Sequence, residues 1–309
     1  GGLYVYDKNL KLKEDKKYYP SNIYAAIEDA EGNVWYGSRG RGLLIKEKWY
    51  TYDASDTTSL GDNNIFVMHR DRKDRMWVGT FGGGLNLAER RGDGYVFRRF
   101  LDENYSLRRT RSILEDKNGW MWVGTSDGVC VFHPDSLIAD ADNYVNYNYK
   151  SGTLKSSEIK CIYQDREGRI WIGTTGSGFA VCTLDGDYAN ITFKHFDTKD
   201  GLVNNMVQSI IEDETGKLWI ATEYGISCFD ADKNTFKNFY FSAYALGNVY
   251  GEASVCKGEN GQLLFGSNHG LVVITPSLLE ETSVIVPKVS FTDLKINGIS
   301  MRPDDTDSP

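Results

Sequence analysis

One short pattern returns six times along this chain and leaves few folds open to it. Aligned on a Gly-Thr step, the copies read NVWYGS, RMWVGT, WMWVGT, RIWIGT, KLWIAT and QLLFGS. Their anchors are Trp35, Trp77, Trp122, Trp171, Trp219 and, in the last copy, Leu264, spaced 42 to 49 residues apart. Six residues before each tryptophan stands an aspartate: Asp29, Asp71, Asp116, Asp165 and Asp213. Three before the anchor there is usually glycine, as at Gly32, Gly119, Gly168, Gly216 and Gly261, with Asp74 in the second copy. A second glycine and an apolar run follow: GLLI, GLNL, GVCV, GFAV, GISC, GLVV.

A phosphate-binding loop occurs once, between a strand and a helix. Here the glycine-rich step recurs and runs into another strand pattern, so it is scaffold. Each unit reads as four strands. The first ends at the aspartate (IYAAIED, IFVMHRD, IKCIYQD). The second holds the tryptophan. The third follows the glycine-rich turn, and the fourth is aromatic (KWYTYD, YVFRRF, YVNYNY, ITFKHF, TFKNFY). In YVNYNY the residues Val145, Tyr147 and Tyr149 are expected on one face, since side chains alternate along a strand. No unit has helical periodicity. Four short strands per unit, repeated around a ring, describe a β-propeller, with the tryptophan packed between neighbouring blades. Composition agrees: 19 Tyr, 7 Trp and 32 Gly against only 6 Pro suit short strands joined by tight turns.

The consensus, roughly V-x-S-I-x-E-D-x-x-G-x-[ILM]-W-[VI]-G-T-x-x-G-G-L, resembles the two-component regulator propeller repeat over about residues 1–277. Sialidase Asp boxes place Asp and Gly two apart rather than three. Quinoprotein repeats place the glycine four before the tryptophan, and WD dipeptides are absent. VPKVSFTDLKINGISM, from Val286, resembles the first strands of the small β-sandwich that follows the propeller in these sensors. The resemblance implies an all-β chain: a propeller of four-stranded blades over 1–280, then a linker and the truncated start of a β-sandwich over 281–309. Six units are complete. GGLYVYD and KLKEDKKYY match a third and a fourth strand of another, so the intact protein is expected to have seven blades. Its two missing strands lie upstream, or the ring closes with strands from both ends. Both termini read as cuts in a longer protein, and the lack of a leader is then uninformative.

The resemblance further implies an extracytoplasmic sensor of a hybrid two-component histidine kinase, outside the inner membrane. It would detect an oligosaccharide and control polysaccharide-utilisation genes. The implied partners are that oligosaccharide, a second copy in a homodimer, and an upstream propeller of the same chain. The net charge of −8 argues against nucleic acid, which selects a basic face, and no run reaches the ~20 apolar residues of a membrane helix. Membrane contact by this segment is not expected.

Chemistry-bearing residues are sparse. Asp116 to Gly119 resembles half a calcium loop, but no acidic residue follows at the bidentate position, so the aspartates are read as turn formers. His69, His133, His195 and His269 show no ligand spacing, and His269, in the turn SNHG, stands out only by its position. Neither metal nor cofactor is expected. Cys130, Cys161, Cys182, Cys228 and Cys256 all lie in apolar runs and are read as buried free thiols. Functional residues in a repeat protein should break the pattern. In the turns between second and third strands these are Arg39, Arg41, Phe81, Asp127, Glu223, Tyr224, Asn268 and His269. In the connections into first strands they are Asn22, Asn64, Arg108, Arg109, Glu158, Asn205, Tyr250 and Glu252. Both sets emerge on one propeller face, where loops vary on a rigid frame. Of these, Arg39, Arg41, Phe81, Asp127, Glu223, Tyr224, His269, Asn64, Arg109 and Tyr250 are the candidate ligand contacts, their side chains suited to sugar hydroxyls and carboxylates. No catalytic residue is assigned. Two other readings remain open: an interaction scaffold, and a lyase or glycosidase using Glu223 with Glu252 or Asp127.

Overall fold

The structure is a computed structural model. It describes residues 3–7, 11–16, 22–101, 106–240, 250–267, 270–280, 294–296 and 299–301. Two compact units are present, Gly1–Ile274 and Thr275–Pro309.

Six successive antiparallel sheets form the blades of the first unit. Blade one comprises Ile23–Glu28, Val34–Ser38, Leu43–Ile45 and Lys48–Tyr50. Blade two comprises Ile65–Arg70, Met76–Thr80, Leu85–Arg91 and Gly94–Phe100. Blade three comprises Thr110–Glu115, Met121–Thr125, Gly128–Phe132 and Val145–Tyr147. Blade four comprises Ile159–Gln164, Ile170–Thr174, Phe179–Cys182 and Lys194–Phe196. Blade five comprises Val207–Glu212, Leu218–Thr222, Gly225–Asp230 and Thr235–Phe239. Blade six shows three strands among the described residues: Tyr250–Lys257, Leu263–Ser267 and Gly270–Ile274. Strands pair in chain order within each blade, and first strands of successive blades touch. Leu3–Tyr6 and Leu12–Lys16 pair as a separate two-stranded sheet. The expected third and fourth strands therefore exist, and they pair with each other.

The recurring pattern now has a physical account. Each aspartate grips its tryptophan: the indole N–H donates to the carboxylate at 2.9 Å in Asp29–Trp35, Asp71–Trp77 and Asp116–Trp122. The distance is 2.7 Å in Asp165–Trp171 and Asp213–Trp219. The other carboxylate oxygen accepts backbone N–H groups of the turn, such as Asn118 at 2.8 Å and Trp120 at 3.0 Å on Asp116. These oxygens are taken up by protein donors, which is why the DKNG segment is a turn. In blade six Gly258 and Leu264 replace aspartate and tryptophan together, so neither partner is left buried alone. Trp35, Trp77, Trp122 and Trp171 cluster with residues of the next blade. Trp77 meets Met121, Val123 and Phe132, and Trp122 meets Ile159, Ile170 and Ile172.

The Gly-Thr step closes the second turn. The hydroxyls of Ser38, Thr80, Thr125, Thr174, Thr222 and Ser267 donate to the carbonyls of Gly42, Gly84, Gly128, Gly178, Gly225 and Gly270 at 2.8–3.1 Å. The glycine of the step lets blades approach. A Cβ on Gly79 would lie 2.5 Å from Thr110, and one on Gly124 2.8 Å from Ile159, each on the next first strand.

Three expectations are corrected. A helix, Pro134–Ala139, is inserted between the third and fourth strands of blade three, where no helical period was read; it opens with Pro134 and buries Leu137. Tyr149 does not share the buried face of Tyr147, because the strand ends at Tyr147 and Tyr149 is 65% exposed. Cys256 is exposed, whereas the other four cysteines are buried. Burial pushes the Cys161 and Cys182 thiols up to about 12.

In the second unit, helix Pro276–Glu280 is followed by a hairpin of Leu294–Ile296 with Ile299–Met301. The rest of the sandwich-like segment lies outside the described residues. No helix among the described residues is long and apolar enough to cross a membrane.

Candidate functional site at the channel mouth

Every blade's first strand carries a register shift at the same place: between Ile23 and Ala25, Ile65 and Val67, Thr110 and Ser112, Ile159 and Cys161, Val207 and Ser209, and Tyr250 and Val255. A bulge frees one residue from pairing and re-aims its side chain. The freed residues are Tyr24, Phe66, Arg111, Lys160 and Gln208, with Glu252 in the longer shift of blade six. They form a ring where the first strands converge.

One side of the ring is aromatic. Tyr24 stacks on Phe66 at 5.3 Å and Phe66 on Phe81 at 4.9 Å between centroids. Arg39 donates to the Tyr24 hydroxyl at 3.2 Å. The guanidiniums of Arg109 and Arg111 lie 5.2 and 4.9 Å from the Phe81 centroid, close enough for cation–π attraction. The other side is ionic. Arg111 donates to both carboxylate oxygens of Glu252 at 3.0 and 2.8 Å and to Glu158 at 2.8 Å. Lys160 donates to Glu252 at 3.1 Å. The Arg111 side chain is only 11% exposed, and its Nε is buried without a hydrogen-bond partner among the described residues. Gln208 donates to Glu223 at 3.1 Å.

The structure thus brings Arg39, Phe81, Arg109, Glu158, Glu223 and Glu252 to one mouth. Asn64 bridges the Arg39 backbone and donates to Asp62 at 2.8 Å. Arg41 turns outward, its guanidinium 4.6 Å from the Trp49 ring. Tyr224 is 59% exposed and lies edge-on to Tyr240. Asp127 pairs with Lys150 at 3.4 Å in an outer groove of blade three, so it shares no partner with Glu223 or Glu252. Tyr250 is 3% exposed beneath the face, and burial pushes its hydroxyl up to about 12. Asn268 and His269 lie outside the described residues. Among the described residues no group of three His, Cys, Asp or Glu side chains is placed to hold a metal ion.

Tyr24, Phe66, Arg111, Lys160 and Gln208 were not among the sequence candidates. Each stands eleven residues before its tryptophan. That column varies from Tyr to Phe, Arg, Lys and Gln between apolar or small hydroxyl residues, a signal visible only once the bulge is known.

A ring of blades on a converging channel, with its variable side chains gathered at one mouth, defines a β-propeller of the repeat class. Residues 59–82, 104–127, 153–176 and 201–224 match the two component regulator propeller, so four of the blades carry two-component regulator propeller repeats. The chain is 24% identical, over 97% of its length, to histidine kinase P4 of Formosa agariphila, and spans 23% of that protein. Its fold is similar to the extracellular domain of BT3049 from B. thetaiotaomicron, described as a hybrid two component system, with TM-score 0.75 and 24% identity over 99% of this chain and 41% of that one. A catalytically inactive variant of virginiamycin B lyase from Staphylococcus aureus matches with TM-score 0.63 at 12% identity over 87% of this chain and 86% of that one.

Proposed function

We propose that this propeller is a non-catalytic, extracytoplasmic ligand-sensing domain of a hybrid two-component histidine kinase. The observation that carries the reading is the run of two-component regulator propeller repeats, together with the likeness to histidine kinase P4 along nearly the whole chain. The ligand is an oligosaccharide released from a polysaccharide, and the output is control of polysaccharide-utilisation genes. The channel mouth supports this. An aromatic stack offers a face to sugar C–H groups, and the Arg and Glu side chains beside it offer donors and acceptors to hydroxyls. Glu158 and Glu252 are both held by Arg111, an arrangement that suits a rigid rim better than a general acid and base. Signalling requires that the ligand bind one arrangement of a dimeric sensor more tightly than the other. An upstream propeller of the same chain is a further partner in this reading.

The test is titration calorimetry of the full-length protein against a panel of plant and host oligosaccharides, with a parallel assay for new reducing ends. Saturable binding without turnover supports the sensor. Sustained release of reducing ends overturns it in favour of a lyase or glycosidase, and no binding across the panel turns it toward a scaffold.

A further inference from the structure

Blade six carries the irregular member of the bulge ring. Its first strand pairs Tyr250 with Ser267 and Val255 with Phe265, so residues 251–254 stand opposite Gly266 alone. In the other five blades the shift frees a single residue. Ala253, inside this segment, has a φ of 52°, a left-handed conformation that a Cβ disfavours. The other described non-glycine residues with positive φ, Lys46, Glu47, Asp74, Asn234 and Asn260, lie outside the strands. Such a backbone persists where surrounding contacts hold it in place.

The contacts that hold it are ionic and end on Glu252. Arg111 and Lys160 both donate to its carboxylate, and Arg111 also holds Glu158. The Glu252 side chain is 23% exposed against 11% for Arg111, so the carboxylate is the more accessible partner. The Phe81 ring carries both the Arg111 guanidinium and that of the exposed Arg109, at 4.9 and 5.2 Å. Arg109, Arg111 and Lys160 thus share this part of the mouth with Glu158 and Glu252. With Glu252 withdrawn, three cations would face one carboxylate. A largely buried guanidinium that gives up a carboxylate needs another anion, because an unpaired buried charge is costly and a neutral hydroxyl leaves it unpaired.

We propose that the ligand of the channel mouth is an acidic oligosaccharide whose carboxylate or sulfate group displaces Glu252 from Arg111; the proposal rests on the sensor reading above. Arg109 meets the incoming anion at the rim. Arg111 and Lys160 then exchange one anion for another, so their charges are paired in both arrangements. A sensor needs two such arrangements, with the ligand favouring one. Once Glu252 is released, the 251–254 bulge loses the contacts that oppose the strain at Ala253. The chain leaves blade six at Ile274 and enters the second unit at Thr275, so a change in this blade is the one passed directly along the backbone.

Calorimetry and hydrogen-exchange mass spectrometry of the full-length protein test this, with tetragalacturonate as the carboxylate probe, a sulfated carrageenan tetrasaccharide as the sulfate probe and laminarihexaose as the neutral comparator. At least one acidic probe is expected to bind and to speed exchange across residues 250–257 at least threefold; the probe that does so tells carboxylate from sulfate. Laminarihexaose should do neither. Glu252→Gln removes the internal competitor and is expected to tighten acidic binding at least threefold. Arg109→Ala should weaken it at least tenfold, both variants being checked for native melting. Binding of laminarihexaose but of neither acidic probe overturns the acidic class and leaves the sensor reading standing. Acidic binding that slows exchange across 250–257, or that Glu252→Gln weakens or leaves unchanged, overturns the displacement. No binding of any sugar overturns both. The wild-type exchange pattern decides the matter even where a variant fails to fold.

Discussion

Arg111 on the third blade chelates Glu252 on the sixth, with one guanidinium nitrogen 2.8 and 3.0 Å from the two carboxylate oxygens. Blades three apart in sequence are thereby joined across the channel, within a cluster that also includes Glu158 and Lys160. Replacing Arg111 by Met leaves Glu158 without that guanidinium and Glu252 with Lys160 as its remaining cation. Because the cluster is largely buried, a loss of about 2–4 kcal/mol is expected. Arg111→Met/Glu252→Met should cost less than the sum of the single changes, as denaturant unfolding of the double-mutant cycle would report.

Asp116 is fully buried and accepts from Trp122, from Tyr188 at 2.9 Å and from two turn amides. Tyr188 comes from the long connection between the third and fourth strands of blade four, and its ring stacks on Trp120 at 4.1 Å. Asp116→Ala orphans several buried donors at once and should destabilise by about 3 kcal/mol or more. Tyr188→Phe keeps the stacking and removes one donor, for about 1 kcal/mol. Thermal unfolding should rank the two in that order.

Acid should loosen the tryptophan clasps. Burial raises the carboxyl pKa of Asp29 and Asp71, but the hydrogen bonds they accept, from Asn33 and Trp35 and from Trp77 and Arg75, outweigh it and leave both below the ordinary 3.8. A carboxylate whose folded pKa is depressed stabilises the fold above its unfolded pKa and loses that contribution as pH falls through the folded value. Melting temperature should therefore vary little with these groups between pH 7 and about 5 and decline below about pH 4. Asp71→Asn should show a shallower acid decline from a lower starting point.

The close approach of blades at the Gly-Thr step predicts a steep size limit. Gly124→Val places its Cβ against Ile159, 2.8 Å from the nearest atom. Overpacking of this kind costs about 1–3 kcal/mol. Blade five already has Ala221 at this position, so Ala221→Gly should change chemical stability by less than Gly124→Val does.

Cys256 is the exposed thiol of the five. Under native conditions a thiol-specific disulfide reagent should modify one cysteine per chain rapidly. The other four should react only on unfolding, since Cys161 and Cys182 are held protonated near neutral pH by burial. Cys256→Ser should abolish the fast phase.

The aspartate, glycine and tryptophan columns were enough to define strands, turns and the six complete repeats, because those interactions are local. Asp116 grips a tryptophan six residues away, and Thr125 closes a turn three residues long. A local interaction recurring six times is legible as a column. Arg39, Phe81 and Arg109 were also legible as breaks in the pattern. The bulge residues were not: a single extra residue in a strand leaves the apolar pattern on either side intact, so nothing in the alternation marked Tyr24 or Arg111 as turned into the channel. Only the convergence of the first strands decided that Arg111 meets Glu252, 141 residues away, and that Tyr250 is buried. The helix Pro134–Ala139 escaped notice because six residues are too few to display a period. The sequence by itself determined the repeating blade, since each blade's bonds are short in range. Only the tertiary structure decided which variable side chains converge, since convergence depends on how the blades are turned about a common axis.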